Sequence, residues 1–282
     1  MVLGVNTFLF TSPFTTAKLD LLEDIASAGF DGVEIALENP EDIDPPLVRR
    51  KLNQLDLRCC AVCGVFGAGR DLRGDEQEQR GAKDFIRKGI AIAEELECNL
   101  FAGPLYSRTG RAAPESDNSR REQWNRVVGH LSAHSQEAES RGIRLAIEVM
   151  NRFATDFINT CDQALELIEE VDSPALGVHL DTFHMNIEEK SMTAAVTKAG
   201  SRLFHFHVAD NDRSAPGKGA IDWISIKNAL EEVGYDESIV IESFMPDIRI
   251  GGTVPSVWRK LAPDGHTLAR EGLAFLRDLF GR

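Results

Sequence analysis

The chain alternates short apolar runs with longer segments in which apolar residues recur every three or four positions. The short runs are typical of buried strands, and the longer segments are typical of amphipathic helices. The predicted strands cover residues 3–8, 32–37, 58–65, 99–106, 144–150, 175–181, 203–210 and 238–244. The predicted helices cover residues 16–29, 45–55, 76–96, 119–141, 161–171, 191–199, 224–233 and 265–280.

Strict alternation of eight strands with eight helices predicts parallel strands joined by right-handed crossovers. An α/β protein with one domain over residues 1–282, folded as a (β/α)8 TIM barrel, accounts for this order, and about 250 residues is typical of that fold. A doubly wound open sheet is the alternative, but no GxGxxG motif follows the first strand.

The composition of the chain argues against several classes of function. A formal net charge of −14 would repel phosphate backbones, which argues against nucleic-acid binding. No apolar run approaches the roughly 20 residues that span a bilayer, and the N-terminus lacks the features of a signal peptide. Five cysteines indicate reduced thiols in a cytoplasmic protein. Cys60 and Cys63 form a CxxC, but no second pair at zinc spacing accompanies them, so we expect buried strand cysteines.

Chemistry in such a barrel lies at the carboxyl ends of the strands. Strands five to eight carry Glu148, Asp181, His207 and Glu242 near these ends, and side chains alternate faces, so one group per strand can converge on a point. Three carboxylates and one imidazole suit a divalent cation, Mn²⁺ first and Mg²⁺ or Co²⁺ next. The alternative for any one carboxylate is a helix N-cap or a loop salt bridge. We predict a metal site.

Two further histidines precede the predicted ligands by two positions. His179 shares the parity of Asp181, and His205 shares that of His207, so all four can face the barrel interior. The earlier member of each pair lies one layer deeper. We therefore predict that His179 and His205 orient ligands rather than bind the metal.

Four segments are distinctive, namely "VDSPALGVHLDTFHMNIEE", "HFHVADNDRSAPGKG", "AIEVMNRF" and "IVIESF". Together they resemble the corresponding motifs of the ketose 3-epimerases, the D-tagatose/D-psicose 3-epimerase group of the xylose isomerase-like TIM barrel superfamily. The resemblance extends over essentially the whole chain through "AGFDGVEI", "GPLYS" and "VWRKLAPDGHTLAREGLAFLR".

The resemblance implies a metal-dependent epimerase that inverts C3 of a free ketose of the D-tagatose, D-psicose/D-fructose or L-ribulose type through an enediolate. It implies Glu148, Asp181, His207 and Glu242 as metal ligands. The two glutamates would also be acid and base, and His184 and Arg213 would hold the sugar oxygens. A homodimer or homotetramer is the family expectation.

One position departs from the family pattern. Where the family usually has another glutamate, this chain has Ala154, and Asp156 is a candidate to replace it in part. Loss of a charged acceptor should redirect substrate recognition. A hydroxypyruvate isomerase, an inosose dehydratase or isomerase, or a 3-oxo-sugar enzyme therefore remains an alternative. So do a DNA-repair enzyme like endonuclease IV, which the seven histidines and acidic charge disfavour, and a non-catalytic sugar-binding protein.

The sequence also offers candidates for the pocket around the sugar. Aromatic residues near the predicted loops are possible apolar walls, namely Phe8, Phe66, Tyr106 and Trp258. Arg249, followed by Gly251 and Gly252, could hold a phosphate, although the resemblance suggests a substrate without one.

Overall fold

Eight parallel strands close into a barrel in the order in which they occur along the chain. The structure is a computed structural model, and it describes residues 1–113, 116–250 and 257–282. Gly251 and Gly252, part of the predicted phosphate site, lie outside the described residues. The prediction of a (β/α)8 barrel is confirmed, and the open-sheet alternative is wrong because β1 pairs with β8.

The strands match the predicted apolar runs closely. They are β1 (Val2–Asn6), β2 (Gly32–Leu37), β3 (Arg58–Gly64), β4 (Leu100–Gly103), β5 (Arg144–Glu148), β6 (Leu176–Asp181), β7 (Leu203–Val208) and β8 (Ser238–Ile241). Most observed strands end a few residues before the predicted ones. The residues after these ends belong to the loops that form the carboxyl face of the barrel.

Nine α-helices are assigned among the described residues, one more than predicted. They are α1 (Asp20–Ser27), α2 (Pro45–Gln54), α3 (Glu76–Glu95), α4 (Asp117–Ser140), α5 (Cys161–Val171), α6 (Thr182–Glu188), α7 (Met192–Ala199), α8 (Trp223–Glu232) and α9 (Gly265–Phe280). The unpredicted helix is α6, which begins directly after β6. Asp181 is its N-cap and accepts a hydrogen bond from the Phe183 amide. Its seven residues are too few to show a helical apolar stripe.

The main hydrophobic core lies inside the barrel and between the barrel and its helices. All five cysteines are buried and free, as expected for Cys60 and Cys63 in β3. Among the residues that the structure describes, no helix has both the length and the apolar character needed to cross a membrane.

Candidate active site

The four predicted ligands lie together at the carboxyl end of the barrel. Glu148 ends β5, Asp181 ends β6, His207 lies in β7, and Glu242 directly follows β8. One ligand atom from each lies within 4.8 Å of those from the others. All four side chains are buried, with at most 6% of the residue exposed. The structure therefore brings together the complete set that the strand ends predicted.

The register between neighbouring strands explains why these side chains converge. Asp181 of β6 is paired with His207 of β7, so these side chains point to the same side of the barrel wall. The Glu242 amide donates to the Val208 carbonyl, which continues the pairing of β7 and β8 by one residue. His207 Nδ1 consequently lies 3.5 Å from Glu242 Oε2 and 4.0 Å from Asp181 Oδ2.

Arg213, from the loop after β7, lies among the carboxylates. Its Nη1 donates to Asp181 Oδ2 at 2.8 Å, and its Nη2 lies 3.1 Å from Glu242 Oε2. Its backbone has φ of +70°, in the left-handed region, and is held by a hydrogen bond from its amide to the Asp210 carbonyl. Three carboxylates and one guanidinium give the site a net charge of two negative units when His207 is neutral. A divalent cation would neutralise this charge.

The donor atoms fit such a cation. His207 Nδ1 is buried and has no hydrogen-bond partner, although it faces carboxylate oxygens. A buried polar atom without a partner is costly, and a metal ion would satisfy it. Oxygen ligands with one imidazole favour Mn²⁺, Mg²⁺ or Co²⁺ over zinc, which more often has sulfur or several histidine ligands. The residues present therefore suit a divalent metal site.

Ionisation at the site is set by burial and by these charge pairs. Burial alone would raise the pKa of Asp181, but Arg213 and nearby histidines lower this pKa below its ordinary value. Burial would lower the pKa of His207, but Glu34 and Glu242 raise this pKa well above its ordinary value in the metal-free protein. Burial lowers the pKa of Arg213, while Asp181 and Glu242 raise it and keep the guanidinium charged.

His184 lies on α6, and its tautomer follows from its partners. The Asn151 backbone amide, which can only donate, points at His184 Nδ1 at 3.3 Å. The Asn151 side-chain amide nitrogen lies 2.8 Å from the same atom, while its oxygen accepts from the Phe153 amide. Nδ1 is therefore an acceptor and the ring proton lies on Nε2. Nε2 lies 3.5 Å from Glu148 Oε1 and also 3.5 Å from Arg213 Nη2, so its N–H lies between a carboxylate and a guanidinium.

Beneath the four predicted ligands lies a layer that contains His179 and His205, as predicted. The His179 ring centroid is 4.1 Å from that of His207 and 4.7 Å from that of His205, and all three residues are fully buried. Burial lowers the pKa of His179 well below its ordinary value and keeps the ring neutral. Nitrogen atoms of these three histidines also lie within 4.8 Å of one another. His207 belongs to both groups.

A buried carboxylate in this layer was missed by the sequence analysis. Glu34 of β2 is fully buried, and its side chain contacts His205 Nε2, His207 Nε2 and the Asn6 amide. Burial would raise its pKa, but His207 and His205 lower this pKa below its ordinary value. One signal was available in the sequence: "GVEIAL" places one acidic residue inside an otherwise apolar strand, and such a residue needs a buried partner.

The fold and site can now be compared with known proteins. The family model described as "Xylose isomerase-like TIM barrel" matches residues 22–279. The chain belongs to this family. A D-psicose 3-epimerase from Enterocloster bolteae is 31% identical to it over 294 residues, covering 100% of this chain and 96% of the relative. The predicted resemblance to ketose 3-epimerases is thereby confirmed.

Solved structures of two sugar epimerases have the same fold. A D-allulose 3-epimerase from Methylomonas sp. matches with a TM-score of 0.91 and 29% identity, covering 99% of this chain and 98% of that one. A 3-keto-D-glucoside 4-epimerase from E. coli matches with a TM-score of 0.81 and 26% identity, covering 99% of each chain. Both similar proteins are sugar epimerases by name.

Ala154 lies in the loop after β5, in a segment tied to the loop after β4. Its carbonyl accepts from the Gly110 amide at 2.7 Å. Asp156, the candidate to replace the missing glutamate, instead binds Arg73 Nη1 at 2.5 Å and the Ala113 amide at 3.3 Å. Arg73 is almost fully buried, so this ion pair holds the Asp156 carboxylate firmly. The Asp156 carboxylate is therefore engaged in a contact between the two loops. Position 154 remains uncharged.

The four aromatic residues predicted as pocket walls occupy different environments. Phe66 is fully buried against Phe85, and Tyr106 is fully buried with its hydroxyl donating to the Glu148 carbonyl at 2.8 Å. Phe8 packs with Phe244 in a small cluster, at a centroid distance of 6.0 Å. Trp258 is 78% exposed. The structure thus gives Phe66 and Tyr106 positions in the core, and a direct contact with a sugar stays a prediction for each residue.

Proposed function

We propose that the protein is a metal-dependent epimerase that inverts C3 of a free ketose. The observation that supports this most is the convergence of Glu148, Asp181, His207 and Glu242 on one point at the carboxyl face. Similarity over the whole chain to a D-psicose 3-epimerase supports the same activity. We propose that residues 1–282 act as a single catalytic domain and that the substrate is of the D-tagatose, D-psicose/D-fructose or L-ribulose type.

The four converging residues would hold one divalent cation, for which we propose Mn²⁺, with Mg²⁺ or Co²⁺ as substitutes. When bound, the cation would act as a Lewis acid that favours loss of the proton next to the ketone. We also propose a homodimer or homotetramer that works in the cytoplasm, where the five free cysteines would stay reduced.

Two carboxylates supply the proton transfers. One of Glu148 and Glu242 takes the C3 proton, and the electrons of the broken C–H bond form the C2–C3 double bond of an enediolate. The other glutamate returns a proton to C3 from the opposite face, which inverts that carbon and restores the ketone. The two residues suit these roles because they come from the first and last strands of the group, β5 and β8.

His184 and Arg213 would hold the substrate oxygens. Because Asn151 holds His184 Nδ1 as an acceptor, Nε2–H would donate to an oxygen of the substrate beside Glu148 and Arg213. The Arg213 guanidinium carries positive charge between Asp181 and Glu242, where negative charge develops on the enediolate oxygens. Neither side chain needs to change its protonation state during the reaction.

The proposal is tested by hydrogen exchange at the reacting carbon. Chelator-treated protein reloaded with Mn²⁺ is incubated in D₂O with D-fructose, D-psicose, D-tagatose and L-ribulose, and the products are followed by NMR. We expect the C3 epimer of at least one ketose to form with deuterium at C3. Binding of a ketose without deuterium in any product would contradict the proposal and favour a sugar-binding protein.

A second candidate is epimerisation at C4 of a 3-oxo glycoside. Ala154 favours it, because the uncharged position removes an acceptor that the family usually provides for a free ketose, and a similar structure is a 3-keto-D-glucoside 4-epimerase. The same chemistry would then take the proton from C4, which also lies next to a ketone. The same exchange assay with a 3-oxo glucoside added to the substrates distinguishes the two, because that sugar would gain deuterium at C4 while the free ketoses gain none.

A further inference from the structure

The carboxylate of Glu34 connects two distant parts of the barrel. Glu34 lies within β2, whose neighbours in the barrel are β1 and β3, yet its side chain contacts two histidines of β7. It therefore crosses the barrel interior beneath the proposed metal site. The residue is fully buried, and an unpaired carboxylate there would be strongly unfavourable.

Each oxygen of this carboxylate accepts hydrogen bonds. Oε1 lies 2.8 Å from His207 Nε2 and also accepts from the Asn6 side-chain amide, while Oε2 contacts His205 Nε2. The Asn6 amide is oriented by its own oxygen, which accepts from the Phe8 backbone amide at 2.8 Å. Glu34 is thus held in place from β1 and binds both imidazoles of β7.

These contacts determine which nitrogen of His207 is available to a metal. An ionised carboxylate can only accept, so Nε2 of His207 must carry a proton. A ring that binds a metal carries its one proton on the other nitrogen, which leaves the Nδ1 lone pair for the cation. Nδ1 is the atom that faces Glu242 Oε2 and Asp181 Oδ2 and that has no hydrogen-bond partner.

We infer that Glu34 is a positioning residue for the metal site: it fixes the orientation of His207 and its Nε2–H tautomer, so that Nδ1 is presented to the cation. This inference rests on the proposed function in so far as that function requires a metal at the four converging residues. Through Glu34, β2 would thus contribute to a site whose proposed ligands all come from β5 to β8.

The first test measures equilibrium Mn²⁺ binding to chelator-treated protein. Glu34→Gln keeps the size of the side chain but puts an NH₂ group opposite one of the imidazoles, so we expect the Kd for Mn²⁺ to rise about 10- to 100-fold. Glu34→Asp keeps an acceptor-only group that is one methylene shorter, so a smaller rise is expected. Glu189→Gln is the matched control, because Glu189 is a half-buried carboxylate that accepts from the Cys161 amide; its Kd should not change.

The second test needs no variant and therefore does not depend on whether Glu34→Gln folds. Zn²⁺ is diamagnetic and binds nitrogen ligands more tightly than Mn²⁺, so ¹⁵N-histidine NMR spectra of the Zn²⁺-loaded wild type show the ring protons. We expect the proton of His207 on Nε2 alone. A proton on Nδ1 would overturn the inference, as would a Glu34→Gln protein that folds and binds Mn²⁺ with the wild-type Kd.

Neither measurement uses turnover, so the two proposals can fail separately. If no ketose is epimerised, the Kd and the tautomer still decide the role of Glu34. If Glu34→Gln binds Mn²⁺ normally while the wild type epimerises a ketose, Glu34 has no positioning role and the proposed function stands.

Discussion

The two halves of the barrel differ in what their strands present at the carboxyl end. Strands β5 to β8 bring three carboxylates and an imidazole to one point. Strands β1 to β4 end in Asn6, Leu37, Gly64 and Gly103, none of which is ionisable. The only carboxylate within those four strands, Glu34, lies one layer deeper and binds His207. In our proposal, one half provides the reacting groups and the other half supports them.

Substitutions in the half formed by β5 to β8 should affect activity most at the two proposed acid and base residues. Glu148→Gln and Glu242→Gln each keep the shape of the side chain but remove its ability to take a proton, so kcat should fall about 10²- to 10⁴-fold. Turnover and deuterium incorporation at C3 measure the effect. Glu189→Gln, at the end of α6 where the carboxylate accepts from the Cys161 amide, is the control and should keep wild-type kcat. Near wild-type turnover in both glutamate variants would contradict the two-carboxylate account.

Asn151 follows β5 and supports the site by holding His184 Nδ1. Asn151→Asp places an acceptor against His184 Nδ1 and favours the opposite tautomer, which would remove the Nε2–H donor from the substrate. We expect kcat/KM to fall up to about 100-fold, as for loss of one preorganised donor. Asn151→Ala removes the side-chain bond but keeps the backbone amide at Nδ1, so its loss should be smaller. Equal losses in both variants would show that the tautomer does not matter.

Ala154 tests substrate choice separately from chemistry. Ala154→Glu restores the charged acceptor that the family resemblance implies, and a hydrogen bond to a charged group should raise kcat/KM for free ketoses about tenfold or more. Ala154→Gln is the control for size. The ratio of kcat/KM between a free ketose and a 3-oxo glucoside is the measurement. A ratio that is the same in wild type and in both variants would mean that position 154 does not contact the substrate.

His134, on α4 outside the barrel, should affect stability and leave activity unchanged at neutral pH. Burial, with His130, Arg87 and Lys83 nearby, lowers its pKa from 6.5 to about 4. The unfolded chain therefore takes up a proton at His134 before the folded chain does. The contribution of His134 to the free energy of unfolding is fully retained above pH 6.5. It is lost as the pH falls from 6.5 towards 4, and the loss is roughly 2 kcal/mol at pH 5.

Urea unfolding of wild type and His134→Gln at pH 7 and pH 5 checks this expectation. The free energy of unfolding should fall less in the variant between the two pH values. An equal fall in both proteins would show that His134 does not contribute.

The convergence of the four proposed ligands could be predicted from the sequence because each one is an ionisable residue near the end of an apolar strand. Barrel geometry then requires consecutive strands to point such groups at one place. Asp181 is an example. It is both the last residue of β6 and the N-cap of α6, so one short motif fixes its position.

The supporting residues could not be predicted in the same way. The contact of Glu34 with His207 joins residues 173 positions apart, on strands that are not neighbours, and only the closed barrel brings them together. The tautomer of His184 depends on α6, which the polar segment "TFHMNIEE" does not reveal as a helix. The engagement of Asp156 with Arg73 depends likewise on how two loops pack.

A metal site supplied by four strands requires one metal ion per chain, and this number can be counted. Chelator-treated protein is titrated with Mn²⁺ by isothermal titration calorimetry, beside Asp181→Asn, His207→Gln and the control Asp156→Asn. We expect one ion per chain in the wild type and the control, and binding weakened by at least about tenfold in the two variants of proposed ligands. Absence of stoichiometric binding in the wild type, or unchanged binding in the ligand variants, would contradict the proposed metal site.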